Sequence, residues 1–347
     1  MRGTSFLLLR ATTFVLHCSS TSFGLRVVSR LSRPNIVLHC SSPYLHWYPQ
    51  ANMPKAVVPR RPRRAQKVST AAAASTASMD TDDGDLQLSH TIIQKMREVS
   101  DIKTQQWFTN YVKGTTWIGC KVPVTRKAVT DVMKSTSRSF PGSTDAMSVL
   151  STGRLVENAV YMLQQKECDV KLAGMMLLSE HVPVTELATE SLLTILETKV
   201  LAANHVADWS SADWFAMRVL KKITLAGKDN LTLRILGYAE NGTNIWYRRC
   251  GLVSFIGYEK KRSELPPDIG QRLVTAVEKC LLASPDERFC QTGCAWLARY
   301  ILTQKDEKEE CLKMILRNGS LWTREAKKSL VEKLSKSDSR RNLILGL

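Results

Sequence analysis

The chain has 347 residues, 44% of them apolar, and a formal net charge of +17, so it can bury a substantial core as one large domain or two small ones. Residues 1–79 hold eleven Lys or Arg and no Asp or Glu, which leaves +6 for residues 80–347; the charge sits mostly at the start and is weak evidence that the rest binds nucleic acid. Nine cysteines, an odd number without paired spacing, speak against a disulfide framework or a zinc site and predict reduced, buried thiols, with no metal and no organic cofactor.

The acid-free, Arg- and Ser-rich start, followed by the low-complexity run Ser69 to Ser78, predicts a targeting leader over residues 1–79, first of all a mitochondrial or plastid transit peptide. The basic run Pro59 to Lys67 gives the competing reading, a nuclear import signal, with Met53 as an alternative start. Phe6 to Leu9 and Thr12 to Leu16 are separated by Arg10 and are too short to span a membrane, so no membrane partner is expected. A linker over 80–90 then leads into a folded domain over 91–340.

From about Leu86 onward, apolar residues recur at three- and four-residue spacing with almost no alternating runs, which predicts an all-α domain. Leu155, Ala159, Met162 and Leu163 mark one amphipathic helix. Val170, Leu172, Met175, Met176 and Leu178 mark the next, after the break at Lys166 to Asp169, and Leu187 to Val206 reads as another. Segments opening near Cys168, Ser210, Asn244 and Glu287 each start a helix after a polar turn, at intervals of 42, 34 and 43 residues. Such irregular spacing near 40 suits HEAT-like helical repeats better than the fixed tetratricopeptide period. It predicts a curved α-solenoid whose concave face is lined by the second helix of each pair. Such a groove can follow a duplex or serve as a protein scaffold.

Three helical segments stand out. They are Trp209-Ser210-Ser211-Ala212-Asp213, the run Asn244 to Arg249, and the run Gln291 to Arg299. Together they offer tryptophans, one carboxylate and several guanidiniums. A positively charged nucleobase favours an aromatic face, the sugar cation left by a departing base favours a carboxylate, and flanking phosphates favour arginine. Trp209 and Asp213 share a face if the helix has begun by Trp209. The plain alternative is a core tryptophan followed by residues that cap or charge a first turn. Arg248 and Arg249 lie about 100° apart on a helix and cannot face one groove equally; solvated surface is their plain reading. Trp296 and Arg299 repeat the pairing at three-residue spacing, although a lone Trp on an apolar helix is more often core.

Taken in order, these segments resemble the AlkD-like DNA alkylation repair enzymes, HEAT-like glycosylases that excise alkylated purines. The resemblance begins at Gln106 to Gly114, continues through Trp117 to Lys127 and runs to about Leu334. Gly119, Pro123 and Arg126 match the family's early Gly-x-x-x-Pro-x-x-Arg stretch. The family's pattern of a Trp followed four residues later by an Asp, an Arg in a segment like Asn-x-Trp-x-x-Arg, and a Trp three residues before an Arg falls on Trp209, Asp213, Arg249 and Trp296. Arg248 and Arg299 are supporting candidates only for phosphate contact, and Arg126, Lys127 and Arg218 would help if they point inward along the concave face. Where the family often has Trp-Asp-x-x-Asp, this chain has Ser210 after Trp209 and Asp208 before it.

The resemblance implies a monofunctional glycosylase acting on duplex DNA with N3- or N7-alkylated purines, and a monomer is the default because single-lesion recognition on a solenoid needs no two-fold symmetry. Asp213 would stabilise the oxocarbenium-like sugar and orient water, Trp209 and Trp296 would pack on the lesion, and Arg249 would hold a nearby phosphate. The competing reading is a HEAT-like module that binds nucleic acid or protein without catalysis. No lysine nucleophile is visible, which disfavours a strand-cleaving lyase.

Overall fold

The structure, a computed structural model, describes residues 86–138 and 151–347. Every described residue falls in one compact unit, Thr76–Leu347. The expected leader lies outside the described residues. Among those residues all regular elements are helical, and the one β-type contact is an isolated bridge between Thr116 and Glu167.

The helices are α1 (Gln87–Glu98), α2 (Ile102–Tyr111), α3 (Val122–Arg138), α4 (Thr152–Leu163), α5 (Cys168–His181), α6 (Val184–Leu187) and α7 (Glu190–Leu196), the last running into a π-helical turn, Glu197–Leu201. Helix α8 (Trp209–Phe215) runs through a second π-helical turn, Ala216–Leu220, into Lys221–Thr224. There follow α9 (Asp229–Asn241), α10 (Ile245–Ser254), α11 (Ile269–Ala283), α12 (Arg288–Ile301), α13 (Lys308–Arg317), α14 (Arg324–Leu330) and α15 (Ser339–Leu345). Neighbour packing sorts them into two layers. Helices α3, α5, α8, α10, α12 and α14 pack in succession in one layer, backed by α1, α4, α7, α9, α11 and α13 in the other. This is an α-solenoid of HEAT-like pairs.

The predicted helix openings near Cys168, Ser210, Asn244 and Glu287 are the starts of α5, α8, α10 and α12, successive members of one layer. Helix α1 begins at Gln87, where the helical pattern is expected to start, and α15 ends at Leu345. The single helix expected over Leu187 to Val206 is divided, because the Thr189 hydroxyl accepts the Leu192 N–H and starts α7 as a new helix, which ends at Leu201.

Helix α5 is buried along its length from Cys168 to Ser179, as a helix packed on several sides must be. Its first-turn Asp169 accepts the main-chain N–H groups of Ile118, Gly119 and Cys120 at 2.9, 2.8 and 2.8 Å. That carboxylate thereby fixes the loop between α2 and α3. Gly119 has φ +115°, and a Cβ there would stand 2.5 Å from the Asp101 carbonyl oxygen, so only glycine fits. Pro123 follows in the first turn of α3, where its missing N–H is harmless. Cations tie the layers further: Lys171, Lys221, Lys222 and Lys228 donate to the main-chain carbonyls of His205, Ile256, Ser179 and Ala188. Several of these carbonyls lie at or just past helix C-termini, which favour positive charge.

The seven described cysteines are all buried and free, as predicted, and burial pushes the thiols of Cys120 and Cys168 up to about 12. No helix among the described residues is long and apolar enough to cross a membrane. The α9–α10 contact is a close backbone approach. A Cβ on Gly251 would meet the Ala239 amide nitrogen at 2.4 Å, whereas one on Gly293 of α12 finds its nearest neighbour at 3.5 Å. Gly251→Ala is therefore expected to cost about 1–3 kcal/mol through overpacking. Gly293→Ala should be neutral or slightly stabilising, and thermal denaturation of the two variants checks the contrast.

Candidate active site

Helix α8 starts where it does because Asp208 caps it. The Asp208 carboxylate accepts the N–H groups of Ser210 and Ser211, both at 2.9 Å, and the Ser211 hydroxyl at 2.6 Å. The helix thus begins at Trp209, and Trp209 and Asp213 stand one turn apart on a common face. Asn244 does the same for α10, accepting from the N–H groups of Trp246 and Tyr247 at 3.0 and 2.9 Å. This places Arg249 in the second turn, opposite α8.

Arg249 grips Asp213 with both arms of its fork, Nε to Oδ1 at 2.7 Å and Nη2 to Oδ2 at 2.8 Å. Its Nη1 turns the other way and donates to the Phe289 carbonyl at 2.7 Å and the Thr292 hydroxyl at 3.1 Å, both in α12. One guanidinium therefore joins three successive helices of the layer. The side chains are 7% exposed for Arg249 and 16% for Asp213, so the pair is shielded but not sealed from solvent. Burial pushes the Asp213 carboxyl above the ordinary carboxylate range, against the charge and hydrogen bonds of Arg249, which pull it down.

Trp209 rests on a small cluster of Phe108, Val112, Trp117 and Cys168 and meets Tyr111 edge to face at 5.5 Å, remaining half-buried. Trp296 lies one turn beyond Thr292 on α12, on the face that Arg249 touches. It is 8% exposed, and the Arg299 guanidinium lies 5.8 Å from its ring centroid. The predicted tryptophans, carboxylate and arginine thus come from three adjacent helices of one layer.

The expected phosphate-facing set is redistributed. Arg249 is turned inward by Asp213 and the Phe289 carbonyl, and Arg299 is buried and paired with Glu332. Arg248 donates to the Gly242 carbonyl at 3.1 Å and to the Ser284 hydroxyl, tying two interhelical turns together. In each case an acceptor from a neighbouring helix or turn holds the guanidinium inside the repeat packing. Arg126 and Lys127 remain at the surface, paired with Glu180 at 3.1 Å and Asp131 at 2.6 Å. The cap Asp208 and the acceptors Phe289 and Thr292 were not among the predicted site residues. An Asp directly before Trp209, followed by two serines, is a legible N-cap signal; a main-chain carbonyl leaves none. No group of His, Cys, Asp and Glu among the described residues is arranged to hold a metal ion.

Among curated proteins no sequence matches the chain. The model of the family described as DNA alkylation repair enzyme matches residues 92–330, which span the described helices from within α1 to the end of α14. The chain belongs to the DNA alkylation repair enzyme family, and so acts in the repair of alkylated bases in DNA.

Proposed function

We propose that the chain is a monofunctional DNA glycosylase for purines made cationic by alkylation at N3 or N7, with Asp213 as its catalytic residue. The observation that carries this reading is a largely buried carboxylate, held by a single arginine, one turn from Trp209 and across the layer from Trp296. A cationic purine is already a good leaving group. As the bond between the sugar C1′ and the base nitrogen breaks, its electron pair goes to the base, which departs neutral, and the positive charge passes to the sugar. No general acid is needed. Asp213 stabilises the oxocarbenium-like sugar and orients the water whose oxygen bonds to C1′, with the released proton passing to the carboxylate or to solvent. Arg249 keeps the carboxylate aimed. Trp209, with Trp296 in the same layer at 8% exposure, contacts the lesion nucleotide, where cation–π attraction contributes about 0.5–2 kcal/mol. Surface cations such as Arg126 and Lys127 meet the phosphates, positioning the duplex without reading sequence. The protein works as a monomer without a cofactor, and the acid-free leader directs it to a DNA-containing organelle, with the nucleus as the other destination.

A second reading, a DNA- or protein-binding scaffold without catalysis, draws on the same pair, since both Asp213 oxygens are already engaged by Arg249. Incubating the full chain with duplex DNA containing a single N7-methylguanine or N3-methyladenine distinguishes the two. Free alkylated base in solution supports the glycosylase; tight binding with no release from either lesion leaves the scaffold.

A further inference from the structure

Three further side chains converge in the layer that carries Asp213. Glu180, near the end of α5, accepts hydrogen bonds on one oxygen, Oε1, from two guanidiniums on different helices. These are Arg126 Nε of α3 at 3.1 Å and Arg218 Nη1 of α8 at 2.9 Å. All three remain accessible, with side chains 40% exposed for Arg126, 29% for Glu180 and 20% for Arg218. Arg218 is also oriented independently of Glu180: its Cζ lies 4.6 Å from the ring centroid of Trp214, the residue that follows Asp213. Next to Glu180, the Ser179 carbonyl takes the ammonium of Lys222. One carboxylate thus faces two guanidiniums from different helices.

We propose that Arg126 and Arg218 form a two-helix clamp for a DNA backbone phosphate, and that Glu180 occupies the phosphate position in the free protein as an exchangeable placeholder. The proposal rests on the reading of this layer as the DNA face. Two guanidinium forks directed at a single oxygen suit a phosphate better than a carboxylate, because a phosphate presents non-bridging oxygens to each fork. The Trp214 stack keeps one fork aimed when Glu180 swings out. Helix α8 then carries both the clamp residue Arg218 and Asp213 five residues earlier, so a clamped phosphate fixes the duplex relative to the carboxylate. The placeholder has a second effect. Every undamaged phosphate must displace Glu180, which weakens binding to ordinary duplex and shortens each visit during a search.

The test is fluorescence anisotropy of an undamaged duplex against the full chain across a range of KCl concentrations, comparing wild type with R126Q, R218Q, E180Q and the double variant E180Q/R218Q. R126Q and R218Q are expected to weaken binding and to reduce the steepness of the salt dependence, each by up to about one phosphate contact because the two hold the same phosphate. E180Q is expected to tighten binding about 3–10-fold by removing the competing anion, and the double variant to lose that gain. Arg126 is exposed enough that its variant does not endanger the fold, and a thermal melt verifies the others. The clamp is overturned if R126Q leaves the salt dependence as it was, or if folded E180Q binds no more tightly than wild type. Wild type failing to bind duplex at any salt would instead remove the DNA-face reading itself.

Discussion

Asp213→Asn is expected to lower single-turnover release of N7-methylguanine from duplex DNA by about 10²–10³-fold, the loss seen when one preorganised electrostatic group is removed. Affinity for the lesion-bearing duplex should change little, because the amide keeps the size of the carboxylate and loses only the charge that the developing sugar cation needs. Unchanged release by a folded D213N protein would sink the assignment. Dependence on pH gives an independent check. On the proposed mechanism base release requires ionised Asp213, and burial raises its pKa above the ordinary carboxylate range. Activity in the wild type should therefore fall, as pH is lowered, at a higher pH than an ordinary aspartate would give, and the residual activity of D213N should lack that limb. Stability responds in the opposite sense. With the folded pKa above the unfolded one, the stabilising contribution of the protonated form is fully present below the unfolded pKa and is lost as pH rises through the folded pKa. At neutral pH the ionised carboxylate is thus a burden on the fold, which is the expected signature of a group kept for chemistry.

Arg249→Met is expected to be the most damaging single change to the fold described here. It leaves Asp213 without its partner in a shielded site, and removing one member of such a pair costs about 3–5 kcal/mol. For a domain of this size that corresponds to roughly 6–20 °C in melting temperature. The double variant D213N/R249M should regain much of the loss, since no uncompensated carboxylate remains. Thermal denaturation of wild type, both single variants and the double variant gives the coupling directly. Additive losses would show that Arg249 acts through α12 alone. In R249M the carboxyl also loses the charge that opposes its burial, so the acid limb of any remaining activity should move further up. Arg249→Lys keeps the charge but not the fork, and a compact ammonium cannot hold both Asp213 oxygens and reach the Phe289 carbonyl.

The helical repeat was readable because its signal is periodic and repeated: apolar spacing fixes each helix, and polar breaks recur where α5, α8, α10 and α12 begin. The break inside Leu187 to Val206 was hidden, because Thr189 is a weak mark within an apolar run until its hydroxyl is seen to cap Leu192. In the site, four-residue spacing sufficed to put Trp209 and Asp213 on one face once Asp208 set the helix start. What spacing cannot express is direction across helices. Arg248, Arg249 and Arg299 all read as candidates for phosphate, and all three are drawn inward by acceptors far away in sequence: Ser284, Asp213 with the Phe289 carbonyl, and Glu332. The Glu180 bridge has the same character, joining residues 126, 180 and 218 through a contact that no local pattern foreshadows.

The Asp213–Arg249–Phe289 chain of bonds crosses three stacked helices in a row, with lengths of 2.7 to 2.8 Å between its first partners and 2.7 Å to the last. Apolar side chains between repeats can slide by fractions of an ångström as a solenoid flexes, but a row of short ionic hydrogen bonds has almost no slack. A change in superhelical pitch is therefore felt first at the carboxylate. On the proposed role of Asp213, its carboxylate oxygens hold their aim only over a narrow range of curvature.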